Sequence, residues 1–168
     1  MTNSIKTFSN YFAILLLTSF LAACATAPTE TTSSTSTSQS QVVGGVYVGT
    51  ETIEMLAVDV PDRVFFAYDS YSLAALAQAT LNKQAKWLKA NPSVAIAVEG
   101  HADERGTREY NLALGDRRAS SVKDYLMSQG ISSNRISTIS YGKERPVKSG
   151  SNDTAWAQNR RSVSVRTN

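Results

Sequence analysis

The sequence predicts an α/β (α+β) sandwich in which one sheet of about four strands is covered by helices. Two observations carry that prediction. Short runs rich in β-branched or aromatic residues, at 64–68, 94–98, 136–141 and 162–166, alternate with two long helical stretches. The size also fits: 168 residues with 42% hydrophobic content suffice for one domain plus extra segments, and not comfortably for two.

The first strand is expected at Val64-Phe65-Phe66-Ala67-Tyr68. Ser72 then caps a helix whose apolar residues recur at Leu73, Leu76, Ala77, Leu81 and Leu88, and which stops before Pro92. Val94-Ala95-Ile96-Ala97-Val98 is apolar on both faces. It reads as a central strand covered on both sides, or as a strand with a small-residue packing face. A second helix runs from Thr107 or Tyr110 to Gln129, with Gly130 as its C-terminal cap. Ile136 to Tyr141 forms a third strand, and Ser162-Val163-Ser164-Val165-Arg166 alternates as a fourth, half-exposed strand.

Ahead of this domain the chain reads differently. Lys6, the apolar run Tyr11 to Leu17 and Phe20-Leu21-Ala22-Ala23 make a secretory signal peptide over residues 1–23. That run is well short of the roughly 20 residues that cross a bilayer as a stable helix. Leu21-Ala22-Ala23-Cys24 resembles the lipobox of bacterial lipoproteins, where the thiol is acylated after cleavage just before it. Cys24 is the sole cysteine, so an intrachain disulfide is excluded and an anchor site is the better reading. Ala25, rather than Asp, follows it; by that resemblance the sorting is to the outer membrane, with the domain facing the periplasm. Residues 24–54 are then the lipidated cysteine and a disordered tether, because the Ser/Thr/Gln run cannot bury enough apolar surface to offset its ordering entropy. About 30 residues would span on the order of 30 Å as a coil and roughly 100 Å pulled taut. Val42 to Glu54 is ambiguous and partly ordered at most. Residues 55–168 form the folded domain.

The net charge of +3 is too small and too interleaved to indicate nucleic acid, whose phosphates call for a dense basic patch. Ionisable chemistry concentrates in Glu99-Gly100-His101-Ala102-Asp103-Glu104-Arg105-Gly106-Thr107, just past the end of the second strand. Arg118 shares a helix side with Leu114 and Val122, where a charge is costly unless partnered. Asp103 is its candidate partner. A carboxylate and a guanidinium side by side could grip a zwitterion, with Asp103 taking the ammonium and Arg118 the carboxylate. A purely structural ion pair explains the same spacing.

Gly100-His101-Ala102-Asp103-Glu104-Arg105-Gly106, Tyr110-Asn111 and Leu114-Gly115-Asp116-Arg117-Arg118-Ala119 resemble the OmpA-like peptidoglycan-binding domain family. Ile139-Ser140-Tyr141-Gly142-Lys143-Glu144-Arg145-Pro146 and Asn159-Arg160-Arg161 are similar to the same family, so the likeness covers about Val64 to Val165. The His-Ala-Asp-Glu-Arg-Gly version resembles its peptidoglycan-associated lipoprotein branch. The resemblance implies the order β-α-β-α-β-(α)-β and a mixed sheet. It implies that Asp103 and Arg118 bind the free end of meso-diaminopimelate in a peptidoglycan stem peptide, and that Phe66, Asp69, Tyr110, Asn111 and Arg160 line or brace the pocket. The loop Ala67-Tyr68-Asp69 would offer backbone groups. Ala67 and Ser72 depart from that branch, which often has acidic residues there. The partners it implies are TolB, with TolA beside it, and the outer membrane through the lipid.

No cofactor is expected. His101 with Asp103 and Glu104 falls short of the several His or Cys ligands usual for a metal site. There is no Gly-x-Ser-x-Gly elbow and no Walker-type phosphate loop. The protein is therefore expected to bind rather than catalyse. The alternatives are a wall-binding lipoprotein without Tol partners and, in a different class, a wall-modifying enzyme.

Overall fold

The computed structural model describes residues 41–167. The signal peptide, Cys24 and most of the Ser/Thr/Gln run lie outside the described residues, and the anchor and tether expectations with them. The described chain opens with two short hairpins, β1 (Val42–Val43) with β2 (Val46–Tyr47) and β3 (Met55–Ala57) with β4 (Val60–Pro61). Then follow β5 (Arg63–Phe65), α1 (Ala75–Ala90), β6 (Ile96–His101), α2 (Arg108–Ser128), β7 (Ile136–Gly142), α3 (Asp153–Asn159) and β8 (Arg161–Arg166). The central sheet has the order β5-β8-β6-β7, with β6 and β7 parallel and β8 antiparallel to both of its neighbours. It is the mixed four-stranded sheet that the sequence implied.

Both long helices lie on one face of this sheet. Ala77, Leu81, Ala85 and Leu88 form the buried stripe of α1, at the spacing of three and four residues that keeps side chains on one helix face. They pack with Val64, Phe66, Ile96, Val98 and, from α2, Ala119, Val122 and Leu126. Leu76 breaks the expected stripe and stands exposed. Ser72 is not the helix cap either: Ala74 occupies the cap position, and the Ser72 amide donates to Ser70 Oγ in the preceding turn. Helix α2 begins at the earlier of the two starts the sequence offers and ends where Gly130 indicates. Thr107 accepts from the Tyr110 amide at its start. At its end the Gly130 and Ile131 amides donate back to the Met127 and Leu126 carbonyls, with Gly130 at φ +88°.

The fourth strand differs from expectation. β8 is internal to the sheet, and its serines point inward: Ser164 Oγ donates to Gln84 Oε1 at 2.8 Å, beneath α1. Gln84 is fully buried, and its Nε2 donates to the Pro61 carbonyl at 2.7 Å, so both ends of the amide are satisfied. Val165 and Arg166, at the end of β8, are the exposed residues. β6 is likewise central, with Ile96 and Val98 in the core and Ala97 and Glu99 only half-buried on the other face.

A smaller core forms on the opposite side of β5, where alternation turns Phe65 away from Val64. Phe65, Tyr47 and Ala157 pack there with Val42, Val46 and Ile53. Much of the segment 42–54, ambiguous in the sequence, is ordered by this packing.

One close approach sets the position of α2. A Cβ built on Gly100 would stand 1.8 Å from the Gly115 carbonyl oxygen, so helix backbone rests directly on strand backbone at the end of β6. Replacing Gly100 by alanine should therefore lower stability by at least about 2 kcal/mol, the upper part of the range for overpacking. Urea unfolding checks this; an unchanged midpoint would mean that the helix is free to shift.

Candidate functional site

The end of β6, the N-terminal half of α2 and the loop after β5 meet around Arg118. Its side chain is fully buried within the apolar side of α2. Such a charge needs acceptors, and it finds backbone carbonyls. Nε donates to Ser70 O at 2.8 Å, Nη1 to His101 O at 2.8 Å and Nη2 to Ala67 O at 3.2 Å. The Phe66 ring lies 5.2 Å beneath the guanidinium carbon. Burial, and then the Arg160 charge, pull the Arg118 pKa down to about 10, so it remains cationic at neutral pH. A guanidinium has five N–H groups. Three are used, leaving one on each Nη.

Asp103 is buried on the same cavity, but its ion pairs are with other arginines. Its Oδ1 accepts from the Arg105 amide at 3.1 Å and Arg105 Nε at 3.2 Å. Its Oδ2 accepts from Arg105 Nη2 at 2.7 Å and Arg160 Nη1 at 3.2 Å. Burial alone would push this carboxyl up; the bonds from Arg105 and Arg160 outweigh it and hold the pKa below the usual range. The direct Asp103–Arg118 pair suggested by the sequence is absent among the described residues. The two face one cavity instead, and the Asp103 charge still stabilises the arginine through space.

The loop carrying Asp103 is pinned from several sides. Asn111 Nδ2 donates to the Arg105 carbonyl at 2.8 Å, and Lys143 Nζ to the Gly106 carbonyl at 2.8 Å. Trp156 Nε1 donates to Glu104 Oε1 at 2.8 Å. The Arg105 guanidinium is layered between the Tyr68 and Trp156 rings, at 4.2 and 4.1 Å. Tyr110 donates to Asp69, whose backbone sits at φ +50°. Such a conformation is uncommon outside glycine and is found often at ligand sites.

The cavity is about 150 Å³ and is lined by Asp69, Asp103, Tyr110, Asn111, Arg118 and Arg160 among others. Those are six of the seven binding residues the sequence singled out. Phe66, the seventh, lies beneath Arg118 and not on the wall. The Ala67 and Ser70 carbonyls of the neighbouring loop are taken up by Arg118. Sequence reasoning missed Tyr68, Arg105, Gly106 and Leu114 as lining residues. Three arginines against two aspartates give the cavity a cationic surplus, suited to a ligand with more carboxylate than ammonium.

His101 belongs to the strand and not to the cavity wall. Its ring is buried and stacked on Tyr141, with centroids 5.5 Å apart. Neither ring nitrogen has a hydrogen-bond partner among the described residues; Glu99 Oε2 is 3.6 Å from Nε2. Among those residues no group of three or more His, Cys, Asp or Glu is placed to hold a metal, and no helix is long and apolar enough to cross a membrane.

Comparison with known proteins places this geometry. The model of the OmpA family matches residues 65–160, which hold every residue lining the cavity, the three helices and strands β6 and β7. The chain belongs to the OmpA family. A peptidoglycan-associated lipoprotein of Brucella melitensis is 59% identical over 108 residues, covering 64% of this chain and 64% of that protein. One from Pseudomonas aeruginosa is 52% identical over 97 residues, covering 58% of this chain and 57% of the relative. The matches thus span less than two thirds of these relatives. The crystal structure of the peptidoglycan-associated lipoprotein from Burkholderia pseudomallei superposes with a TM-score of 0.62 at 43% identity, over 63% of this chain and 90% of that one. The C-terminal domain of Helicobacter pylori MotB shares the fold, at a TM-score of 0.59 and 22% identity.

Burial, followed by the charges of Arg161, Arg145 and Arg63, pulls the His101 pKa down to about 3. The folded state therefore favours the neutral ring. Its contribution is complete above the unfolded value of 6.5 and drains away as pH falls toward 3, at a limiting slope of about 1.4 kcal/mol per pH unit. Stability measured by urea unfolding from pH 7 to pH 4 should fall less steeply in His101→Phe than in the parent. Parallel curves would contradict this account of the ring.

Proposed function

We propose that this protein is an outer-membrane lipoprotein that holds the diaminopimelate of peptidoglycan stem peptides without making or breaking a bond. The observation that carries the reading is one small cavity faced by both a buried carboxylate, Asp103, and a buried guanidinium, Arg118. The free end of meso-diaminopimelate has an ammonium and a carboxylate on one carbon. Arg118 retains one N–H on each Nη, the two donors a carboxylate can accept side by side. Asp103 takes the ammonium. Its lone pairs are already filled by four bonds, so one arginine contact must give way. Arg105 is the one to yield: its side chain is 33% exposed, against 5% for Arg160. The names of the relatives support the coarser part of this reading, association with peptidoglycan.

The remaining parts follow from this grip. Residues 1–23 are a signal peptide, Cys24 carries the lipid, the segment after it is the leash, and the fold from residue 55 onward is the wall-binding domain, with the hairpin segment packed on it. One end is held in the outer membrane and the other on the wall. Many weak grips along one wall sum to firm adhesion. TolB binds a surface overlapping the cavity, with TolA beside it, so that wall binding and Tol binding compete and the tether is released where the envelope constricts during division.

Calorimetric titration with L-alanyl-γ-D-glutamyl-meso-diaminopimelate tests the grip. The parent should bind, while Asp103→Asn and Arg118→Lys should bind at least tenfold more weakly, about 1.4 kcal/mol, with thermal unfolding showing both variants folded. Saturating peptide should likewise weaken TolB binding. Equal peptide binding by all three proteins would make the buried pair purely structural, and unchanged TolB affinity would remove the competition.

A further inference from the structure

The β1–β2 hairpin lies outside the family match at residues 65–160, yet it bonds to Arg160, which lines the binding cavity. Its turn is Gly44-Gly45, both at positive φ, +57° and +78°. Two such residues between paired strands are the turn type whose twist suits a tight hairpin, and glycine adopts it without strain. The turn is held against the loop after β5: a Cβ on Gly45 would meet Ala67 Cβ at 3.8 Å and the Tyr68 amide nitrogen at 3.9 Å. Behind it Tyr47 is fully buried, edge-on to Phe65 with ring centroids 4.8 Å apart. The Tyr47 hydroxyl donates to Gln41 Oε1 at 3.1 Å and accepts from the Glu51 amide at 3.2 Å, tying down both flanks of the hairpin.

The Gly45 carbonyl accepts from Arg160 Nη2 at 2.7 Å. Arg160 is 4% exposed, so each of its N–H groups needs an acceptor inside the protein. Nε finds Phe66 O at 3.1 Å, and Nη1 finds Asp103 Oδ2 at 3.2 Å. Without Gly45 O, Nη2 is left unsatisfied in a buried place, and the guanidinium must turn to relieve it. Turning moves Nη1 off the carboxylate. Arg160 is also the arginine that stays on Asp103 when Arg105 gives way, so its aim matters most in the bound state.

We infer that the β1–β2 hairpin is a positioning element of the ligand site, its Gly45 carbonyl orienting Arg160 so that Arg160 orients the Asp103 carboxylate toward the ligand's ammonium. The inference rests on the stem-peptide reading and adds to it a segment that reads in the sequence as the end of a linker.

The test uses the intact chain and two turn variants. Gly44→Val with Gly45→Val places β-branched residues at positive φ and opens the turn while keeping every buried side chain of the hairpin. Gly45→Ala is the milder change. The probes are L-alanyl-γ-D-glutamyl-meso-diaminopimelate and the same peptide acetylated on the free amine of its diaminopimelate. The parent should prefer the free amine strongly. The double variant should bind the free-amine peptide at least fivefold more weakly and the acetylated one as the parent does, so that the preference collapses; Gly45→Ala should fall between. NMR titration of the Asp103 carboxyl, with no ligand present, should show its pKa raised in the variants. A parent-like preference and a parent-like Asp103 titration in both folded variants would overturn the inference. A parent that binds neither peptide, or both alike, would instead remove the stem-peptide reading, and the inference with it.

Discussion

The buried guanidinium of Arg118 is the constraint around which the ligand-binding end of the fold is arranged. A cation enclosed in an apolar helix face is tolerable only where acceptors are fixed around it. Here these are three backbone carbonyls, from Ala67, Ser70 and His101. Each belongs to a segment that must be in place for the arginine to be satisfied. The loop after β5 bends to present two of them, and the end of β6 presents the third. Helix α2 must lie close enough to deliver the side chain, which the Gly100–Gly115 approach permits. The ligand cavity is the space left beside that arrangement, and Asp103 lines it as well.

Much of the fold was legible because its local signals agree with its packing. The Thr107 and Gly130 caps bound α2 where the sequence places them, and the alternating runs became the strands of a mixed sheet. The misreadings have a common cause, which is that tertiary neighbours decided them. Ser72 looks like a cap, but the loop ordered around Arg118 starts α1 two residues later than that serine allows. Ser162 and Ser164 look solvent-facing, yet Gln84 on α1 supplies a buried partner for Ser164 and the strand lies inside the sheet. Residues 42–47 read ambiguously because Gly44-Gly45 interrupts a short apolar run at the end of the Ser/Thr/Gln segment. They fold because Phe65 and Ala157, far along the chain, offer Tyr47 a place to pack.

The site divides in the same way. Asp103 and Arg118 could be found because charged residues beside apolar helix positions and glycine-bounded loops are local patterns. Their relation could not. The sequence suggested a direct pair, whereas Arg118 turns to backbone carbonyls that no side-chain pattern reveals. Asp103 is held by Arg105 and Arg160. Arg105 is not singled out by the sequence as a lining residue, since its stacking on Tyr68 and Trp156 depends on segments distant in sequence. The result is a carboxylate kept ionised by arginines of unequal exposure, one buried and one partly exposed, which suits a group that must hold its charge while exchanging a partner.

The central claim is that the cavity reads both charges of a zwitterion at once. The most direct measurement is the affinity of the protein for two tripeptides that differ at the third residue alone, meso-diaminopimelate in one and L-lysine in the other. Lysine keeps the terminal ammonium and lacks the carboxylate meant for Arg118. The account predicts that the diaminopimelate peptide binds at least tenfold more tightly, about 1.4 kcal/mol. Equal affinities would show that Arg118 holds the fold together and takes no part in recognition.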